Sequence, residues 1–209
     1  FKEADAEHAE EISIGASPTN LFQIEVQGMD FYLKMENLQP TGSFKDRGAR
    51  TMVSELRRLG IKKIALDSSG NAGASIAAYA AAAGIECTVY VPEDISSGKL
   101  EQIAQYGAQI VKVPGGRMEA CAAVKQNLGD AYYASHVYNP LFFEGMKSMA
   151  QEIYEQLGNT VPDYIFLPVG NGTMHIALYY GAIILTLAMI CLMSLAQTRN
   201  PYIKDNFFF

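Results

Sequence analysis

The chain has 209 residues, a formal charge of -6 and a hydrophobic fraction of 49%, enough for a sizeable core in one or two domains. The acidic balance argues against nonspecific nucleic-acid binding, which needs a basic footprint, and no set of Cys and His has zinc-ligand spacing. Cys87, Cys121 and Cys191 lie far apart in apolar contexts. An odd, scattered set reads as buried thiols of a reduced, cytoplasmic protein.

Phe1 to Glu11 is charged and Ala-rich, a helical or frayed lead-in. Phe22–Val26 and Phe31–Met35 alternate like half-buried strands around a turn at Gly28. From Lys45 onward strands and helices alternate. Arg47–Leu59 reads as a helix stopped at Gly60, Lys62–Leu66 as a strand, Ala72–Ala83 as an Ala-rich helix and Cys87–Val91 as a strand. Lys99–Tyr106 is helical, Gln109–Val113 a strand, Met118–Leu128 a helix, Leu141–Leu157 helical and Tyr164–Leu167 a last strand. This rhythm predicts an α/β fold of open parallel sheets with helices on both faces. Ligands of such sheets sit beyond the carboxyl ends of the strands. The small side chains of the Ala-rich helix predict close packing on the sheet.

Three loops carry chemistry. Lys45 follows the turn-forming Pro40-Thr41-Gly42-Ser43 and opens a helix. A lysine held at such a junction and partly desolvated becomes nucleophilic toward an aldehyde; taken alone, Lys45 reads first as a solvated charge on a first helical turn, as most lysines are. Asp67-Ser68-Ser69-Gly70-Asn71-Ala72-Gly73 lies between a strand and a helix, where unpaired N–H groups attract anions; the bland reading is a helix cap. Pro168-Val169-Gly170-Asn171-Gly172-Thr173 has the composition of a phosphate cradle at a strand-to-helix turn, though any such turn can carry Gly-x-Gly. His136 titrates near neutrality when free, but has no metal partner or paired carboxylate in sequence. Asn139, Pro140 and Glu144 read as the turn and cap of the following helix.

The run Pro-Thr-Gly-Ser-Phe-Lys-Asp-Arg-Gly at residues 40–48 resembles the cofactor-lysine motif of the pyridoxal-phosphate enzymes of the tryptophan synthase β-type fold, fold type II. Within them it most resembles threonine synthase. Pro18-Thr19-Asn20-Leu21, with its Pro and Thr swapped, resembles the early Thr-Pro-Leu turn of that family. Asn139-Pro140 followed by Glu144-Gly145-Met146-Lys147 resembles its Asn-Pro…Glu-Gly-x-Lys segment. The lysine, the Ser-Gly-Asn loop and the glycine loop stand in the family's order.

The resemblance implies that Lys45 carries pyridoxal 5'-phosphate as a Schiff base, and that Ser68, Ser69 and Gly70 cradle the substrate α-carboxylate. It further implies that Asn71 meets the phenolic oxygen of the cofactor ring and that Gly170, Asn171, Gly172 and Thr173 hold the cofactor phosphate. The implied reaction is a lyase-type conversion of O-phosphohomoserine to threonine and phosphate. Dehydratase-like β-elimination on serine or threonine, and a non-catalytic remnant with impaired cofactor binding, stand as alternatives. The implied domains are 1–46, the start of the cofactor domain; 47–158, a complete small α/β domain; and 159–175, a return strand and phosphate loop of an incomplete cofactor domain. The implied partner is a small amino-acid substrate, with a homodimer kept open and no metal or nucleic acid.

Likeness runs from about Ser17 to Thr173. Residues 176–209 read as an apolar tail unlike the family, and Ile176 to Ala196 has no charged residue, a length that reaches the roughly 20 apolar residues of a membrane helix. A truncated or frame-shifted end, a long buried helix and a membrane anchor compete, the anchor being disfavoured by the α/β body. Each predicts an exposed apolar patch.

Overall fold

The structure, a computed structural model, describes residues 11–16, 18–95 and 98–199, with side chains to Thr186. The expected lead-in before Glu11 and the terminal Phe207–Phe209 lie outside the described residues. The chain divides into two units, Phe1–Met146 and Lys147–Phe209.

The first unit opens with a hairpin of β1 (Leu21–Val26) and β2 (Met29–Lys34), antiparallel throughout. Gln27 and Gly28 both have positive φ, 54° and 75°, the twist that a two-residue hairpin turn requires. Pairing puts Phe22 opposite Leu33, Ile24 opposite Phe31 and Val26 opposite Met29, so these six share one face. The other face carries Gln23, Glu25, Asp30 and Lys34. The strands were expected to be half-buried, and the structure corrects this: Phe22 is 50% exposed and Met29 55%. Alternation reports which face suits a core, whereas burial needs a partner, and none of the described residues of this unit covers that face.

Beyond the hairpin lie α1 (Lys45–Arg58), β3 (Lys63–Leu66), α2 (Asn71–Ala83), β4 (Glu86–Pro92), α3 (Gly98–Gln105), β5 (Gln109–Val113), α4 (Arg117–Gln126), β6 (Tyr132–Tyr133) and α5 (Pro140–Met146). Ala49, Met52, Val53 and Leu56 form the buried stripe of α1, at the spacing of one helical face. The sheet order is β5-β4-β3-β6, all parallel. The chain steps outward through α2 and α3, then α4 returns it across the sheet to β6. Right-handed crossovers in opposite directions put α4 on the face opposite α2 and α3. On the α4 side Ala65, Tyr90 and Val124 form a core with Val111, Val113 and Leu128; Ile64, Leu66, Val89 and Val91 are also buried. Helices on both faces of a parallel sheet match the expected class. α2 is buried from Ala72 to Ala80 and packs on β4, α1 and α3, while α1 also packs on α5.

The two-residue β6 was not anticipated. It exists because the end of β3 offers it a ladder, with Ile64 opposite Tyr132 and Ala65 opposite Tyr133. Its place creates the feature that matters for function. From β3 the chain turns one way, toward β4, while β6 lies on the other side, so a crevice opens between the loops leaving these two strands. Ligands of open α/β sheets bind at such a switch point.

The second unit contains α6 (Ser148–Gln156) and α7 (Thr173–Arg199). The single helix expected over Leu141–Leu157 is instead divided into α5 and α6. α6 and α7 cross closely at Gly181, where a Cβ would lie 2.8 Å from Ala150 Cβ and 2.9 Å from the Lys147 carbonyl oxygen. The strand expected at Tyr164–Leu167 is absent: these residues have no regular secondary structure, with Tyr164 and Phe166 strongly exposed. A strand is made by its ladder, and no described strand offers this segment one. The tail is helical through Arg199, and Ile176, Tyr179, Tyr180 and Ile184 expose apolar surface as expected. Among the described residues no helix is long and apolar enough to cross a membrane.

Candidate functional site

The turn before α1 is held by residues that are themselves inside the protein. Asp46 is fully buried. Its carboxylate accepts hydrogen bonds from Thr41 N (2.7 Å), Thr41 Oγ1 (2.5 Å) and the Ser75 hydroxyl. The first two close the Pro-Thr-Gly-Ser turn onto the first turn of α1, and the third ties it to α2. Arg47, also buried, donates from Nε and Nη2 to the two carboxylate oxygens of Glu36 at 2.7 and 2.8 Å, a bidentate pair. Thr19 Oγ1 donates to Glu36 Oε1 at 2.6 Å. The Asp and Arg that follow the lysine are therefore anchors of the loop that presents it.

Two glycines let α5 press against α1. A Cβ on Gly48 would sit 2.5 Å from the Phe142 ring, and one on Gly145 would sit 2.2 Å from the Arg47 carbonyl oxygen. Either substitution forces backbone or ring to move. Phe142 is thereby seated, without solvent exposure, beside the start of α1.

Lys45 projects from that start. Its Nζ lies 4.3 Å from the centre of the Phe44 ring and 5.9 Å from that of Phe142. Burial, and next the positive charge of Arg117 at the start of α4, push its pKa from 10.5 down to about 8. Proximity to an aromatic face favours an ammonium, yet loss of water outweighs it here. The result is an amine that is neutral in an appreciable fraction of molecules near neutral pH. This is not the freely solvated charge of an ordinary surface lysine.

The strand-to-helix loops flank the crevice. Ser68, Ser69 and Gly70 follow β3, and Asn71 opens α2, whose end at Gly70 has no side-chain cap. Ser68 Oγ accepts from Gly73 N at 3.1 Å, and a Cβ on Gly73 would lie 1.9 Å from the Ser68 carbonyl oxygen, so only glycine lets this loop fold down onto the helix. Because Ser75 is bonded to Asp46, the first turns of α1 and α2 are held side by side, which brings Lys45 and the Ser68–Asn71 loop into one region. Asn71 is exposed.

After β6 comes His136, buried and edge-on to Phe142, with ring centres 6.1 Å apart and planes at 68°. Burial first, then the charges of Lys45 and Arg117, lower its pKa to about 4 against the opposing pull of Asp67. It is a neutral imidazole at neutral pH, held among the same groups as the lysine. Tyr133 donates to Asp67 Oδ1; its phenol is pushed well above its usual range, by burial first and then by that bond. Sequence order gave His136 little support because its neighbours come from α1, α4 and β3. Phe142 and Arg117 carried no local signal at all. Asn139 accepts from Leu141 N at 3.0 Å and Pro140 is the first residue of α5, the turn and start expected of them.

Gly170, Asn171, Gly172 and Thr173 belong to the second unit. Gly172 has φ 80°, and Asn171 Oδ1 accepts from Thr173 N (3.2 Å) and Thr173 Oγ1 (2.9 Å). The loop thus folds as a side-chain-closed turn into α7, with Gly170 and Asn171 exposed and Thr173 buried. Of the three cysteines, Cys87 is buried and its thiol is pushed up to about 12 by burial. Cys121 is only half-buried, 3.8 Å from the Tyr133 hydroxyl, which corrects the expectation of full burial. Cys191 lies outside the described side chains. Among the described residues no cluster of His, Cys, Asp or Glu could hold a metal ion.

A half-buried lysine amine near the switch point of an open parallel sheet, flanked by a helix start, stands where α/β enzymes bind small anionic ligands. The chain belongs to the pyridoxal-phosphate dependent enzyme family, whose pattern matches residues 12–185. That match runs past Thr173 to about the middle of α7, beyond the last of the family-like motifs. The chain is 39% identical to threonine synthase of Methanocaldococcus jannaschii over 78% of its own length and 40% of the relative's. It is 42% identical to threonine synthase of Mycobacterium bovis over 69% of its length and 41% of that relative. The chain therefore spans about two fifths of these relatives. Among solved structures, serine racemase from Dictyostelium discoideum superposes with TM-score 0.71 at 30% identity, covering 79% of this chain and 56% of that one. A fungal L-serine ammonia-lyase from Rhizomucor miehei gives TM-score 0.73 at 23% identity, covering 82% and 56%, a likeness of fold alone.

Proposed function

We propose that this chain carries the lysine-centred part of a threonine synthase-like site that uses pyridoxal 5'-phosphate to convert O-phosphohomoserine to threonine and phosphate. The observation that carries the reading is Lys45, an amine of lowered pKa fixed by buried Asp46 and Arg47 at the sheet's switch point. The residues fit the cofactor. The amine is partly neutral, as imine chemistry needs. Ser43 Oγ, two residues away, is buried and has no hydrogen-bond partner among the described residues, the kind of orphan that a bound polar ligand satisfies.

In this reading Ser68, Ser69 and Gly70 hold the substrate carboxylate at the start of α2, and Asn71 lies against the cofactor ring. Gly170, Asn171, Gly172 and Thr173 receive the cofactor phosphate. Bound cofactor supplies an electron sink for charge developing on the substrate carbons. Lys45 Nζ takes and returns protons at those carbons, a contribution of about 10²–10⁴-fold. The protein is read as a cytoplasmic enzyme whose partner is an amino-acid substrate. Similarity at 30% identity to a serine racemase, named for an unphosphorylated hydroxy amino acid, favours a second reading in which serine or threonine is the substrate and the dehydratase-like β-elimination implied by the resemblance is the reaction.

The test adds pyridoxal phosphate to purified protein and follows visible absorption. The expected band is lost in Lys45→Ala, and a band that survives this change sinks the lysine assignment. Phosphate released from O-phosphohomoserine supports the first reading, keto acid formed from serine or threonine supports the second, and no turnover leaves a non-catalytic binding protein.

A further inference from the structure

The Phe142 ring lies beside both basic groups of the site, and its seat is built in from two sides. On α1, Gly48 leaves the hollow that the ring fills, since a Cβ there would stand 2.5 Å from Phe142 Cδ1. On α5, Gly145 lets the helix settle against the Arg47 carbonyl, where a Cβ would stand 2.2 Å away. The ring has no solvent exposure; its centre lies 5.9 Å from Lys45 Nζ and 6.1 Å from the centre of the His136 ring, the two planes at 68°.

We infer that Phe142 is a positioning residue for Lys45: seated in the Gly48 hollow, it excludes water from one side of the amine and so enlarges the fraction that is neutral and nucleophilic. The inference rests on Lys45 being the reactive amine and adds what makes it so. Phe44 covers the amine from its own helix start, 4.3 Å away, but it is only half-buried; Phe142 is the inner wall. An aromatic face also attracts an ammonium, which works against neutrality, so the wall acts through dehydration, consistent with burial being the largest cause of the lowered pKa. Arg117 acts in the same direction by charge. His136, on the edge of the same ring, is held neutral by the same dry surroundings and adds no second positive charge.

The test reads the amine itself and needs no turnover. The full chain is labelled with trace acetic anhydride across pH 6 to 11, and acetylation of the Lys45 peptide is followed by mass spectrometry. The wild-type midpoint is expected near 8. In Phe142→Ala the midpoint rises by a unit or more, so labelling at pH 7.5 falls about tenfold. Phe142→Leu, which keeps a folded apolar core but does not reach as far, gives a smaller rise and serves if the alanine variant does not fold. Folded variants that melt earlier but keep the wild-type midpoint show a purely structural role and overturn the inference. A wild-type midpoint near 10.5 overturns it too. Loss of the cofactor band in Lys45→Ala is a separate outcome, so a failed role for Phe142 leaves the function of Lys45 standing.

Discussion

Two turns in this chain have similar sequence chemistry and different surroundings. Pro40 to Ser43 leads into α1, and Pro168 to Gly172 leads into α7; both combine Pro, Gly and small polar residues before a helix. The first is closed by largely buried groups: Asp46 binds Thr41 and Ser75, and Arg47 binds Glu36. The second is closed by Asn171 on Thr173, while Gly170 and Asn171 stand in solvent. A glycine-rich turn is thus a rigid platform or a local fold according to what binds its polar groups. That difference suits their proposed roles, because a reacting amine needs fixed geometry, whereas a phosphate can be received by whichever backbone amides present themselves.

The contrast is broken most severely at Glu36. Glu36→Ala leaves the Arg47 guanidinium, whose side chain is 3% exposed, without its carboxylate. Removing one partner of a buried pair costs about 3–5 kcal/mol, measurable by urea denaturation. It also lowers cofactor incorporation at Lys45 by loosening the loop. A loss below about 1 kcal/mol means that the pair is solvated, and then the first turn is no more anchored than the second.

A pH titration sharpens the same point. The pKa of His136 falls from 6.5 to about 4 on folding. Between those values the unfolded chain takes up a proton that the folded one refuses. Stability is therefore full above pH 6.5 and declines as pH falls toward 4, by at most about 3 kcal/mol. His136→Gln should flatten this part of the stability profile. An unchanged slope in the variant places the acid sensitivity in the carboxylates instead.

The sequence made the lysine legible because its signal is local: a turn, a lysine and a helix start in nine residues. The α/β rhythm was legible for a similar reason, and β5 falls on its expected residues, Gln109–Val113. What stayed hidden depends on partners distant in sequence. Arg47 read as an ordinary helix residue, although its partner Glu36 lies in the short 3-10 turn after the hairpin. Phe142 read as one apolar residue among Leu141, Phe142 and Phe143, and only the hollow at Gly48 distinguishes it. β6 carries no local signal and Tyr164–Leu167 carries a misleading one for one physical reason: ladders are made between segments, so two residues beside β3 pair while four apolar residues with no pairing strand among the described residues do not.

The smallest expected effect tests the second turn. Asn171→Ala removes the acceptor of Thr173 N and Oγ1, much as loss of a helix cap would, at the low end of that range because the site is exposed: about 0.5 kcal/mol. Amide exchange at the start of α7 should quicken by a factor of two to three, with the rest of the chain unaffected. If Asn171 also receives the cofactor phosphate, as proposed, affinity for pyridoxal phosphate falls by more than that small fraying accounts for, by tenfold or so for one charge-assisted hydrogen bond. Equal losses in folding and in binding would mean that the side chain only shapes the loop and that backbone amides do the holding. Gly170 and Gly172 bear on the same choice, because a Cβ at either would meet nothing within 4 Å. Gly170→Ala is then tolerated by the free fold, and any loss of cofactor affinity it causes reports the close approach of a phosphate to that backbone.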